Sequence, residues 1–155
     1  MSFTAEVQKV AKRYPDPRSA ILPALRLAQA GHDGWLPREA IEEVAAALEL
    51  TPAYCFAVAS FYDMFHLEPV GRHTVEVCTN LSCALVGAQR VVDAFEQELG
   101  LQPGETSADG EITFRLVECL GACGYAPAVA VDHRYRHRVR PEDAAAIVEE
   151  IRADA

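Results

Sequence analysis

Two pairs of cysteines are the residues of this sequence best suited to chemistry. "CTNLSC" carries Cys78 and Cys83, and "CLGAC" carries Cys119 and Cys123. Each pair begins where a strand-like run of alternating apolar residues ends. Two thiols around a polar turn fit poorly in a hydrophobic core, so the pattern predicts a ligand site built from these four cysteines.

The spacing and the surroundings of the cysteines favour an iron–sulfur cluster. Structural zinc normally takes tight CxxC knuckles, whereas a binuclear [2Fe-2S] cluster is wider and accepts looser spacings. Gly121, Ala122 and Gly124 carry little side-chain bulk, so backbone N–H groups can approach bridging sulfides there. A structural zinc ion and buried or redox-active thiols are the alternatives that the residues alone leave open.

Other redox and nucleotide sites lack the residues that they need. A Rieske centre requires two histidines beside two cysteines, yet the five histidines all lie away from the cysteine loops. A thioredoxin-like reductase requires CxxC, which does not occur in the sequence. A glycine-rich phosphate loop between a strand and a helix is also missing, so we expect an electron carrier that binds no nucleotide and has no catalytic acid–base residue.

A predicted strand, helix and strand must position the two cysteine pairs. The periodicity predicts a strand over Thr74–Cys78, a helix over Cys83–Leu99 and a second strand over Ile112–Val117. A right-handed crossover makes the two strands parallel and brings both of their carboxyl ends to one edge of the sheet. Ligands usually bind at this edge in open α/β sheets. We therefore expect the thiols to converge from two loops.

The remaining sequence predicts a helical first half and an α/β second half. From Phe3 to about Phe65 the apolar residues recur at spacings of three and four, which indicates four short helices. The last part predicts a hairpin of strands 128–132 and 135–139 around His133 and Arg134, then a helix from Pro141 through Ile151. The fold class is α+β, with an N-terminal helical bundle over residues 1–70 and an α/β domain over residues 71–155.

Composition and charge narrow the partners and the location. The chain has 155 residues and a net charge of −9, which repels phosphate backbones and makes nucleic acid an unlikely partner. Its first residues do not resemble a signal peptide, so we expect an intracellular, reducing location. No apolar stretch approaches the roughly 18 residues of a spanning helix, so we expect no direct membrane insertion.

Three further features have both a functional and a structural interpretation. Cys55 lies in an apolar helix, and a buried structural thiol is a better interpretation than a fifth ligand. "RYRHRVR" at 134–140 is locally basic, and its alternation favours a solvated strand over a docking surface for an acidic partner. Trp35 and the set Phe56, Phe61, Tyr62 and Phe65 pack between helices by default, and as a hypothesis they form a docking surface.

Several longer segments resemble a known family, the 24-kilodalton (E) subunits of NADH:quinone oxidoreductase, complex I. The resemblance covers nearly the whole chain. It is carried by "RSAILPALRLAQ", "GWLP", "VASFYDMFHLEPVGRH", "VCTNLSCAL", "GET", "DG" and "VECLGACGYAP".

The resemblance implies both a cofactor and partners. It implies a thioredoxin-like domain in which Cys78, Cys83, Cys119 and Cys123 ligate one [2Fe-2S] cluster, preceded by a helical domain. It also implies that FMN and NADH bind only to a partner flavoprotein subunit, and that the chain is cytoplasmic and peripheral on the inner face of the cell membrane through the complex. The same family includes gamma-type subunits of NAD-dependent formate dehydrogenases and NAD-coupled hydrogenases. "FHLEPVGRH" and "CTNLSCAL" look more like the complex I branch.

Overall fold

A computed structural model describes residues 2–154 of the chain. The structure combines helices with one four-stranded sheet, and its contacts divide it between Val70 and Gly71 into two compact units. The helices are α1 Phe3–Ala11, α2 Ile21–Ala30, α3 Arg38–Leu48, α4 Pro52–Phe61, α5 Leu81–Leu85, α6 Ala88–Leu99 and α7 Ala144–Ala153. The strands are β1 His73–Cys78, β2 Ile112–Val117, β3 Ala128–Val131 and β4 Arg134–His137. Short 3₁₀ turns lie at Pro17–Ala20, Cys123–Tyr125 and Pro141–Asp143.

The first unit contains α1 to α4 around one apolar core. Thr51 ends the loop before α4, where its hydroxyl accepts the Tyr54 N–H at 3.3 Å and Pro52 follows as the first helical residue. Proline is tolerated there because the first turn of a helix leaves its N–H groups without helical partners. Val7, Leu25, Val44 and other apolar side chains of these helices are buried together. The four predicted helices are therefore present.

The second unit is built on a sheet whose strand order is β2-β1-β3-β4. β1 and β2 are parallel, as predicted, and their register pairs Cys78 with Val117 at the carboxyl ends. β3 pairs antiparallel with β1 and with β4, so the predicted hairpin is present, although β4 begins one residue earlier than expected. The turn falls at Asp132 and His133, which both have positive φ, rather than at His133 and Arg134.

The main core of the second unit lies between the sheet and two helices. Val75 and Val77 of β1 and Phe114 of β2 are buried together with apolar side chains of α6 and α7. Residues 73, 75 and 77 of a strand share one face, so the alternate residues Thr74, Glu76 and Cys78 lie on the other. Cys78 therefore points to the opposite face from the main core.

The predicted continuous helix from Cys83 to Leu99 is wrong. The structure has α5 and α6 instead, separated at Val86 and Gly87. Gly87 has a φ of 98°, a conformation that ends one helix and that L side chains rarely adopt. Apolar residues continue through the break at helical spacing, and this continuity conceals it from a periodicity argument.

The length and hydropathy of the helices bear on whether one of them could cross a membrane. Across residues 2–154, no single helix is long and apolar enough to do so, and α3 with α4 satisfies length and composition only as a pair bent by 118°.

Candidate metal centre

The first cysteine pair is held in a loop that folds back at the carboxyl end of β1. Cys78 is the last residue of β1, and the next residue, Thr79, donates its N–H to the Val117 carbonyl at 3.0 Å. Asn80 then caps α5 by accepting the Leu81 N–H at 2.8 Å. Because α5 begins so soon, Cys83 turns back toward the sheet. Both thiols are buried, at 4% and 2% exposure.

The two thiols of the first pair contact each other in a small buried cluster. Burial raises the pKa of the Cys83 thiol, a backbone hydrogen bond with Ala128 lowers it, and the neighbouring Cys78 raises it again. The cluster also contains Val117 and Ala88. These side chains exclude water on one side, and the Ala128 backbone supplies a polar contact to the Cys83 sulfur.

The second cysteine pair is exposed, on the loop after β2. Cys119 follows the strand by two residues, and its Sγ accepts the N–H of Gly121 at 3.3 Å. Cys123 begins the 3₁₀ turn Cys123–Tyr125 and interacts electrostatically with Cys83. The structure thus brings Cys78, Cys83 and Cys123 together, whereas Cys119 is not among the groups that shift the pKa of Cys83.

The donor set fits an iron–sulfur cluster better than a disulfide framework. Cys55, Cys78, Cys83, Cys119 and Cys123 are all free, so four thiols stand ready on two loops. A binuclear cluster takes thiolate ligands and is tuned by backbone N–H donors to sulfur, and Ala128 and Gly121 already provide two such contacts. Among residues 2–154, no three histidine, cysteine or carboxylate side chains lie close enough to hold one metal ion.

The residues given a structural interpretation have distinct fates. Cys55 is fully buried, as expected for a structural thiol, and burial raises its pKa. Residues 134–138 are mostly exposed, as a solvated strand requires. Of the aromatic set, Phe65 is buried, whereas Phe56 and Phe61 are 52% and 79% exposed and do not pack as helix-core residues. Nothing in the local pattern predicts the ring of Tyr125, which stacks on His137 with a centroid distance of 4.6 Å.

The fold and the cysteine loops define a small α+β protein with a thiol-rich site at the carboxyl ends of two parallel strands. The family model of the thioredoxin-like [2Fe-2S] ferredoxins matches residues 7–152. The chain belongs to this family, and it is an electron carrier with a [2Fe-2S] cluster as its cofactor. Membership of this family favours the cluster over the zinc alternative.

Similar proteins from several bacteria share one name, that of the E subunit of NADH-quinone oxidoreductase. The type 2 E subunit of Rhizobium meliloti is 42% identical over 99% of this chain and 90% of its own length. The E subunit of Rickettsia bellii is 40% identical over 95% of this chain and 89% of its length. The E subunit of Mycobacterium tuberculosis is also 40% identical, but the chain spans only 59% of that protein.

A solved structure also resembles the chain. The air-oxidized NAD+-reducing [NiFe]-hydrogenase has a chain that superposes with a TM-score of 0.74 and 26% identity. The match covers 86% of this chain and 23% of the hydrogenase chain. The fold described above therefore also occurs as part of a longer protein.

Proposed function

We propose that the chain is the electron-transfer (E) subunit of an NADH-quinone oxidoreductase and that Cys78, Cys83, Cys119 and Cys123 hold its [2Fe-2S] cluster. The observation that carries this proposal is the parallel pairing of β1 with β2, which ends both strands at one edge, each followed by a cysteine pair. The names of the curated relatives support the assignment to this complex.

The chain's own residues divide the work at the site. When bound, a [2Fe-2S] cluster supplies one-electron redox chemistry. Cys78 and Cys83 would hold one iron from the buried side, and Cys119 and Cys123 would hold the other from the exposed side. The backbone N–H groups at Ala128 and Gly121 lie against two of the sulfurs and stabilise negative charge there. No catalytic acid or base belongs to the chain's role.

The proposed partner is an FMN- and NADH-binding flavoprotein subunit. The sequence lacks a nucleotide-binding fingerprint, so the flavin and the nicotinamide must bind elsewhere in the complex. Residues 1–70 would form the helical bundle that docks to the partner subunits, with residues 71–155 as the thioredoxin-like domain that presents the cluster. The location would be cytoplasmic and peripheral, on the inner face of the membrane through the complex.

A second candidate is the corresponding subunit of an NAD-coupled hydrogenase or formate dehydrogenase. The likeness to the NAD+-reducing [NiFe]-hydrogenase, with a TM-score of 0.74, favours it over a free-standing ferredoxin. The two candidates share the cluster and the flavoprotein partner. They differ in the substrate that the purified assembly oxidises or reduces, so quinone-linked NADH oxidation distinguishes them from hydrogen- or formate-linked NAD+ reduction.

The ligand assignment is tested by metal analysis of anaerobically purified protein. We expect the cysteines to hold iron and acid-labile sulfide, with an electron paramagnetic resonance signal after dithionite reduction. Cys119→Ser should lose or distort that signal because it removes one thiolate from the proposed set.

Cys55→Ser is the matched control for Cys119→Ser, since Cys55 is a free thiol outside the proposed site. The control should keep the metal content and the spectrum of the unchanged chain. An unaltered spectrum in Cys119→Ser would remove Cys119 from the ligand set, and zinc without a signal in the unchanged chain would reject the electron-carrier function.

A further inference from the structure

The end of β4 contacts the loop that carries Cys123. Tyr125 lies two residues after Cys123 in the same 3₁₀ turn, and its ring stacks on His137 at 4.6 Å with an interplanar angle of 25°. The guanidinium carbon of Arg138 lies 5.6 Å from the centroid of the same ring. A cation at this distance from an aromatic face is attracted by the ring quadrupole. Two neighbouring residues thus contact one ring beside the exposed cysteines.

Backbone hydrogen bonds join the same two segments. The Arg138 N–H donates to the Tyr125 carbonyl at 2.8 Å, and the Val139 N–H donates to the Pro127 carbonyl at 3.0 Å. Arg138 adopts a φ of 53°, which costs a residue other than glycine about 1–2 kcal/mol. In a regular strand His137 and Arg138 would face opposite sides of the sheet. The left-handed backbone instead lets both side chains reach Tyr125.

Arg138 also brings a positive charge that no carboxylate neutralises within residues 2–154. The neighbouring arginines differ in this respect, because Arg136 pairs with Glu150 and Arg140 pairs with Glu142. The chain as a whole is strongly acidic, with a net charge of −9. A fixed cation beside a thiolate site favours the site's more negative, reduced state.

We propose that Arg138 is a positioning residue, which holds the Cys123 loop through Tyr125 and whose charge raises the reduction potential of the four-cysteine site. This inference rests on the proposed function. Its two parts separate physically, since the backbone bond and the ring contact position the loop while the guanidinium acts through space. The charge is exposed to solvent, so salt must screen its effect.

The experiment compares two substitutions of Arg138 in the full-length, cluster-loaded protein. Arg138→Asn removes the charge, and asparagine tolerates the left-handed backbone. Arg138→Lys keeps the charge. The midpoint potential is measured by a mediated titration followed by electron paramagnetic resonance, at a pH of about 8.5 where histidine is neutral. We expect a lower potential for Arg138→Asn at low salt, an unchanged one for Arg138→Lys, and a smaller difference at high salt.

Arg134→Gln is the control, because Arg134 lies at the other end of β4 and is exposed. Its potential should stay close to that of the unchanged chain. Equal potentials for Arg138→Asn and the unchanged chain would overturn the inference, as would equal shifts in Arg138→Asn and Arg138→Lys or a shift that salt does not reduce. Arg138→Gly, which also permits the backbone, replaces Arg138→Asn if that variant does not fold. Absence of a cluster from the unchanged chain would instead reject the proposed function.

Discussion

Cys55 differs from the other cysteines in chemistry because it differs in environment. It is fully buried in α4, and burial raises the pKa of its thiol. An ordinary cysteine has a pKa of about 8.5, so at pH 8 Cys55 holds less of the reactive thiolate than an exposed thiol does. We expect iodoacetamide to alkylate Cys55 in the cluster-free native protein much more slowly than it alkylates Cys119, as measured by mass spectrometry of time points.

Denaturation provides the control for this comparison of Cys55 with Cys119. In concentrated denaturant both thiols are solvated, so their alkylation rates should converge. Equal rates in the native protein would show that α4 opens readily and would contradict the structural interpretation of Cys55.

At the residue scale, the sequence predicts well what depends on residue type and local spacing. The burial of Cys55 follows from its apolar neighbours, and the loop positions of Cys78 and Cys119 follow from the strands before them. The stacking of Tyr125 on His137 could not be predicted, because it depends on how a loop and a strand twelve residues apart meet in space. Backbone donors such as Ala128 carry no side-chain signal at all.

At the scale of elements, the division between α5 and α6 depends on Gly87. A residue with a Cβ at a φ of 98° is strained, and its Cβ would lie 2.8 Å from the Arg90 guanidinium, which is flexible enough to move. We therefore expect Gly87→Ala to lower the free energy of unfolding by about 1–2 kcal/mol, mainly through backbone strain. Urea denaturation of the two proteins measures the difference.

Gly87→Asn is the matched variant at the same position, because asparagine tolerates the left-handed region better than alanine does. It should destabilise the protein less than Gly87→Ala. Equal losses from both variants would assign the effect to contact with Arg90 rather than to the backbone. The error in the predicted helix has the same origin, since a periodicity of apolar residues reports which face is buried and not which φ a single glycine adopts.

The strands show a similar division between local and long-range information. Alternation identifies β1 and β2, and the crossover rule makes them parallel, as the register of Cys78 with Val117 confirms. The position of β3 beside β1 was not predicted, because antiparallel pairing of distant strands leaves no mark on the sequence of either one. This pairing nevertheless matters for the site, since it brings the Ala128 backbone to the Cys83 sulfur.

For the whole molecule, the two units have separate buried cores, and this separation predicts how the chain can be divided. Val7, Leu25 and Val44 belong to the core of the first unit, whereas Val75 and Phe114 belong to the core of the second. A fragment of residues 71–155 keeps the second core, the sheet and all four cysteines of the proposed site. We expect it to fold alone and to show the same electron paramagnetic resonance signal as the full chain after reduction.

The matched control for this fragment is the same fragment with Cys119→Ser, which should fold but lack the normal signal. A domain of this length buries less of its surface than the full chain and is correspondingly marginal, so cluster loading should raise its melting temperature. A fragment that stays unfolded even when iron and sulfide are supplied would contradict the division at residues 70 and 71. A folded fragment with the normal signal would instead place the whole redox function in the second unit, and it would leave the first unit to serve assembly with the partner subunits.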